Sequence, residues 1–213
     1  MSINFLKNFS FPTAISNQKA NPNPCPDQVV GQLSNGVFTS SNRENIDYSI
    51  KNNNYTIQNK IANPIVIILE SPHKNEYDPI TRSALGPAMG KTGENFKKYF
   101  ASLIVKSKIY RSIATLHCDI VLINAIQYQC SLGMALNNTT DAKSRDDNFN
   151  TCFDNNKTND LKDRLTAIDP IATINLCTAQ FRTKIINKCS NFSNYTDGNH
   201  PSSWRRRENR NIN

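Results

Sequence analysis

The chain reads as an α/β protein: a three-layer αβα sandwich around a central, mainly parallel sheet of about four strands. Two apolar runs predict it, Ile65–Leu69 and Ile120–Asn124, each with the composition of a strand buried on both faces. Segments of helical period alternate with such runs, as parallel strands require of their connections. At 213 residues, 38% of them hydrophobic, the chain can bury one sizeable core.

Residues 1–60 are rich in Asn, Ser and Pro. The stretch ANPNPCPDQ is turn or extended chain, because each proline pushes its predecessor out of helical geometry. This segment is expected to wrap the core with short elements, leaving 61–213 as the α/β domain. Ile65–Leu69 opens that domain as the first buried strand, and Pro72 stops it. The loop containing GPAMGKT follows and opens a helix. Thr92 is its expected N-cap, and Phe96, Tyr99, Phe100, Leu103 and Ile104 recur at helical spacing. DIVLINAIQ supplies the second strand. A polar, mobile loop is expected over 137–159, then a helix near Leu161–Ile168 and a third strand in PIATINLC. A helix from Ala179 to about Cys189 and a short strand before Gly198 complete the pattern, which holds no internal repeat.

The net charge of +8, from 25 Lys+Arg against 17 Asp+Glu, favours a polyanionic partner, nucleic acid before an acidic membrane surface. No run of about 18 apolar residues is present, so no membrane span is expected. The N-terminus lacks the long apolar region of a secretion signal. The six cysteines show no C-x-x-C spacing and read as reduced thiols of a cytoplasmic protein, with no metal or cofactor expected.

In parallel sheets, functional residues collect where strands end at their carboxyl edge. Three segments qualify: Glu70-Ser71-Pro72-His73, Asn124-Ala125-Ile126-Gln127 and Asn199-His200-Pro201-Ser202. GPAMGKT is set aside as a phosphate loop, because Gly86 and Gly90 are separated by three residues where four are needed. Ser71 lacks the G-x-S-x-G surroundings of a hydrolase nucleophile. His117 reads as a structural histidine among apolar neighbours. The sole tryptophan, Trp204, stands just before Arg205, Arg206 and Arg207, and exposing an indole there implies something outside the fold to meet it.

Taken in order, these segments resemble the uracil-DNA glycosylase superfamily, over roughly residues 65–210. That family carries an acid-and-proline motif after its first core strand. It also has an apolar strand ending in Asn, and a late His-Pro-Ser loop followed by a side chain that enters DNA. The resemblance implies base flipping and hydrolysis of an N-glycosidic bond, by a monomer acting on DNA without a cofactor. Glu70 is the candidate carboxylate for the sugar cation or the water. His200 is the donor to the departing base, and Asn124 the reader of the base edge. Ser71, directly before the proline, stands where the best-known branch has its catalytic Asp. A branch with Glu at the earlier place also holds an iron–sulfur cluster, whose cysteine spacing is missing here. Pro72 and His73 would face the base. His73 replaces an aromatic residue that excludes 5-substituted pyrimidines, so the expected target is a 5-modified pyrimidine, such as a modified cytosine of some phage genomes.

By the same resemblance Trp204 is the wedge that fills the gap left by the flipped base. Ser202, Ser203, Arg205, Arg206, Arg207 and Lys91 are then DNA contacts. The alternative for Trp204 is packing back on the core with the arginines solvated. Alternatives for the whole chain are a uracil-removing repair enzyme, a non-catalytic DNA-binding module on the same fold, and a small nucleotide or nucleoside hydrolase. Lys74 keeps an accompanying lyase activity open.

Overall fold

The structure is a computed structural model that describes residues 23–51, 54–58, 60–130, 142–154, 161–189, and 191–213 apart from 193, 207 and 209. Among the described residues the strands are β1 (Gln28–Ser34), β2 (Val37–Asn45), β3 (Tyr48–Lys51), β4 (Asn54–Ile57), β5 (Ile65–Leu69), β6 (His117–Asn124), β7 (Ala172–Asn175) and β8 (Tyr195–Asp197). The helices are α1 (Lys91–Ile104), α2 (Tyr110–Ile113), α3 (Ala142–Asp154), α4 (Leu161–Ile168) and α5 (Ala179–Cys189).

The main sheet has six strands in the order β2-β1-β6-β5-β7-β8, not the expected four. β5, β6, β7 and β8 run parallel to their neighbours among themselves. β1 is antiparallel to both β6 and β2, and these two additional strands come from the Asn-rich first part of the chain. Their sequences hid them for a physical reason. β2 is an edge strand with mostly exposed residues, so it carries no apolar run. β3 and β4 form a separate two-stranded hairpin, whose Tyr48, Tyr55 and Ile57 pack with Leu161 and Leu165 of α4.

Period-2 alternation splits the core into two layers. Ile65, Ile67 and Leu69 of β5 join Ile120 and Leu122 of β6 beneath Phe96, Phe100 and Ile104 of α1. Val66, Ile68, Val121 and Ile123 face the other way, onto Phe149 and Phe153 of α3, Leu165 of α4 and Phe181 and Ile185 of α5. β2 contributes Phe38, which meets Phe96 and Phe100 edge-on at 5.8 and 5.5 Å.

Three local expectations change. Part of the segment expected as a loop is helix α3, with Phe149 and Phe153 stacked at 5.4 Å; 137–141 and 155–159 lie outside the described residues. The N-cap of α1 is Gly90, with no side-chain cap, and Thr92 lies inside the first turn. His117 begins β6 exposed rather than among apolar neighbours. All six cysteines are buried thiols outside any disulfide, and the Cys130 and Cys152 sulfurs lie 3.4 Å apart. Among the described residues, no helix is long and apolar enough to cross a membrane.

Candidate functional site

Hydrogen bonds tie together the carboxyl ends of the parallel strands. Beyond β5 and β6, the Ala125 N–H donates to Leu69 O at 2.7 Å and the Ile126 N–H to Glu70 O at 3.0 Å. Beyond β7, the Thr178 N–H donates to Oε1 of Glu70 at 2.6 Å. Beyond β8, His200 caps a short 3-10 turn, Pro201–Ser203. That turn is held to α1 by Asn95 Nδ2, which donates to Pro201 O at 2.8 Å.

These ends enclose a cavity of about 290 Å³ lined by Leu69, Glu70, Ser71, His73, Glu76, Thr92, Asn124, Thr178, His200 and Ser202. Six of the sequence-nominated residues therefore share one wall: Glu70, Ser71, His73, Asn124, His200 and Ser202. Pro72 is buried beside them but does not line the cavity. His200 Nδ1 and the Ser202 hydroxyl are 2.8 Å apart, and the Ser202 N–H donates to the same nitrogen at 3.3 Å. His73 Nδ1 likewise accepts from the Asn75 N–H at 3.3 Å. Partial burial, and then the neighbouring Lys74 ammonium, hold the His73 imidazole below the ordinary histidine range.

Of the four other lining residues, Leu69 and Thr92 were read only as strand and helix cap, and two, Glu76 and Thr178, were missed by sequence reasoning. Glu76 is 6% exposed. Burial pushes its carboxyl up to about 7, although the Ala88 N–H, the Asn124 amide, the His73 N–H and the Cys25 thiol all donate to it and pull it down. Asn124 Nδ2 donates to Oε2 of Glu76 at 3.2 Å, and Cys25 Sγ lies 3.8 Å from the same oxygen. Thr178 is the other. Its Oγ1 and the Oδ1 of Asn124 are both buried without a hydrogen-bond partner. Nothing in KNEYDP marks Glu76 as buried; the only sequence signal was nearness to the end of β5.

The wall is braced from behind. Arg164 of α4 donates from one nitrogen to both oxygens of Asp27 at 2.8 Å, and from the other to the carbonyls of Asn124 and Ala125 at 3.0 and 3.3 Å. On the far side, Arg43 donates to the carbonyls of Pro87 and Ala88, pinning the Gly-containing loop whose Ala88 N–H reaches Glu76. Gly93 lets α1 approach that loop, because a Cβ there would lie 1.8 Å from Ala88 O.

The expected wedge is corrected. Trp204 is fully buried, part of the α1-side core. The His-Pro-Ser turn folds the chain back so that the indole meets Phe96 of α1. Arg205 and Arg206 remain exposed, lining with Ser202 and Ser203 a surface groove of about 580 Å³. Arg207 lies outside the described residues. Lys91 is exposed and paired with Glu94, and it does not line the cavity. Among the described residues no group of three His, Cys, Asp or Glu side chains is placed to hold a metal ion. No protein-family model, curated protein or solved structure matches this chain.

Proposed function

We propose that the protein is a DNA glycosylase that flips a 5-modified pyrimidine out of DNA and hydrolyses its N-glycosidic bond, leaving an abasic site. One observation carries the reading: the segments after β5, β6 and β8 converge on a single cavity, and each brings the side chain the chemistry needs. The volume of about 290 Å³ suits one heterocycle.

Cleaving an N-glycosidic bond develops positive charge on the sugar and negative charge on the base. Glu70, held by the Thr178 N–H, stabilises the sugar cation or orients the water. His200 donates to the departing base. It is preorganised at the head of a turn, where its Nδ1 meets the Ser202 hydroxyl and N–H. Asn124 reads the base edge. His73 replaces an aromatic blocker with a smaller polar ring and so admits a 5-substituent. Arg205 and Arg206 hold flanking phosphates. A chain that acts on the modified cytosines of phage DNA would serve defence in the cytoplasm, rather than repair.

A second reading has its own observation. Glu70 is already engaged by a backbone donor, as it would be in a module that binds DNA without cutting the glycosidic bond.

An abasic-site assay separates these readings. Purified protein is incubated with oligonucleotides carrying uracil and with phage DNA carrying modified cytosine, and abasic sites are revealed by alkali. Cleavage of modified DNA alone, lost in Glu70→Gln and His200→Ala, is the expected result. Cleavage at uracil moves the chain to repair. Tight DNA binding without any abasic site moves it to the binding module.

A further inference from the structure

Two thiols meet in the core on the α3 side of the sheet. Cys130 Sγ lies 3.4 Å from Cys152 Sγ, although the residues are 22 apart in sequence. Cys130 stands a short stretch beyond Asn124, the last residue of β6, and Cys152 sits on α3. Neither is more than 3% exposed, and Tyr128, Phe149 and Phe153 belong to the same apolar cluster. A disulfide needs its sulfurs at about 2.05 Å, so each would move by only about 0.7 Å. The contact also makes the two thiols unlike. Cys130 donates its S–H to the Cys152 sulfur. That hydrogen bond draws the Cys152 thiol below its ordinary range, against the effect of burial. The same bond, and then burial, hold Cys130 well above it. Cys152 is the sulfur suited to attack, and Cys130 the thiol suited to resolve what the attack forms.

We propose that Cys130 and Cys152 are an oxidation site: hydrogen peroxide joins them in a disulfide that fastens α3 to the chain leaving β6, and a small thiol releases it. The Cys152 thiolate attacks one peroxide oxygen and the O–O bond breaks. Cys152 becomes a sulfenic acid, and the departing hydroxide takes up a proton to become water. The Cys130 sulfur then attacks the Cys152 sulfur. The S–S bond forms, and the sulfenic oxygen leaves with the Cys130 proton as a second water. Two thiols lose two electrons in all, and one peroxide is reduced to two waters. In a reducing compartment such a bond is transient and answers to oxidant. It also acts close to the cavity wall. Between Asn124 and Cys130 the chain is tied through the Ile126 N–H to Glu70 O, and through Gln127 O to the Cys25 N–H. Cys25 Sγ in turn lies 3.8 Å from Glu76 Oε2. The inference does not depend on what fills the cavity.

The test treats the folded native chain with hydrogen peroxide. Remaining thiols are then alkylated in denaturant and counted by intact mass, and the bonded peptides are mapped without reduction. Alkylated thiols are expected to fall from the six of the untreated chain to four, with the single cross-link between Cys130 and Cys152. Dithiothreitol is expected to restore all six. The oxidised protein is expected to melt about 6–12 °C higher, the effect of closing a loop of this length in a chain of this size. Dimedone, which traps sulfenic acids, is expected to label Cys152 in Cys130→Ser, and to leave Cys130 unlabelled in Cys152→Ser. A merely structural pair of thiols would give neither the cross-link nor the label. Six thiols surviving the peroxide overturn the proposal, as does a cross-link between any other two cysteines. An unchanged melting point in the cross-linked protein overturns the fastening of α3. Should either serine variant fail to fold, the cross-link map of the native chain decides alone.

Discussion

The Trp204 indole lies 6.4 Å from the Phe96 ring, with the two planes 19° from parallel. The residue that follows the His-Pro-Ser turn is thus part of the core under α1, and it anchors the turn bearing His200. Arg210 reinforces the arrangement, donating from Nε to Trp204 O at 2.7 Å and lying 3.9 Å over the Tyr99 ring.

Trp204→Ala is expected to destabilise the fold by about 3–5 kcal/mol, the cost of emptying a core site of that size, as measured by urea denaturation. Because Trp204 is the only tryptophan, its fluorescence reports on it alone. Acrylamide quenching is expected to be weak and unchanged by saturating DNA. DNA-dependent quenching in the folded protein would show that the indole leaves the core to stack on bases.

The Arg164–Asp27 pair is expected to be costly to break from one side. Both side chains are fully buried, so Arg164→Met leaves the Asp27 carboxylate without its cation. A loss of about 3–5 kcal/mol is expected. The denaturation midpoint reads it, and a second change, Asp27→Asn, should recover part of the loss by removing the stranded charge.

Glu76 makes stability fall with rising pH. Its carboxyl is raised from 4.5 to about 7 in the fold, so between those values the native state binds more protons than the unfolded chain. Its contribution is complete below about pH 4.5 and is lost as pH rises through 7. The shift corresponds to about 3 kcal/mol. His73, lowered in the fold, acts in the opposite sense near its own range, so the comparison is made against Glu76→Gln. The native protein is expected to lose thermal stability relative to that variant between pH 5 and pH 8. Parallel melting curves across that interval would refute the assignment.

Arg205 and Arg206 flank the cavity from the exposed groove they share with Ser202 and Ser203. Each change to Ala is expected to lower the slope of log affinity against log salt by about 0.9, the release of one counterion. Thermal stability should stay unchanged, because both side chains are solvated. An unaltered slope in the double variant would place the DNA elsewhere.

What could be read from the residues follows burial. β5 and β6 were legible because every one of Ile65–Leu69 and Ile120–Ile123 is apolar and buried. Strand-end logic then found Glu70, Asn124 and His200, which do share a cavity. Glu76 was illegible because its burial is made by distant partners, Cys25, Arg43 and the Ala88 loop, none of which marks the Lys-Asn-Glu triplet locally. Thr178 was hidden in the same way, by a contact to Glu70 across the sheet. Trp204 was misread because its partner, Phe96, lies more than a hundred residues earlier, and charge in the following arginines masked an apolar anchor.

β1 has a kinetic consequence. Its two flanks are β2, which follows at once, and β6, which pairs Gln28 with Leu122 and Ser34 with His117. During synthesis the β1–β2 hairpin can close early, yet its inner edge has no partner until β6 emerges, and Asp27 at its head waits longer still for Arg164. Such distant closures slow folding, and an open strand edge meanwhile invites pairing between chains. The cavity wall is therefore among the last parts to set. Refolding yield should fall steeply as protein concentration rises.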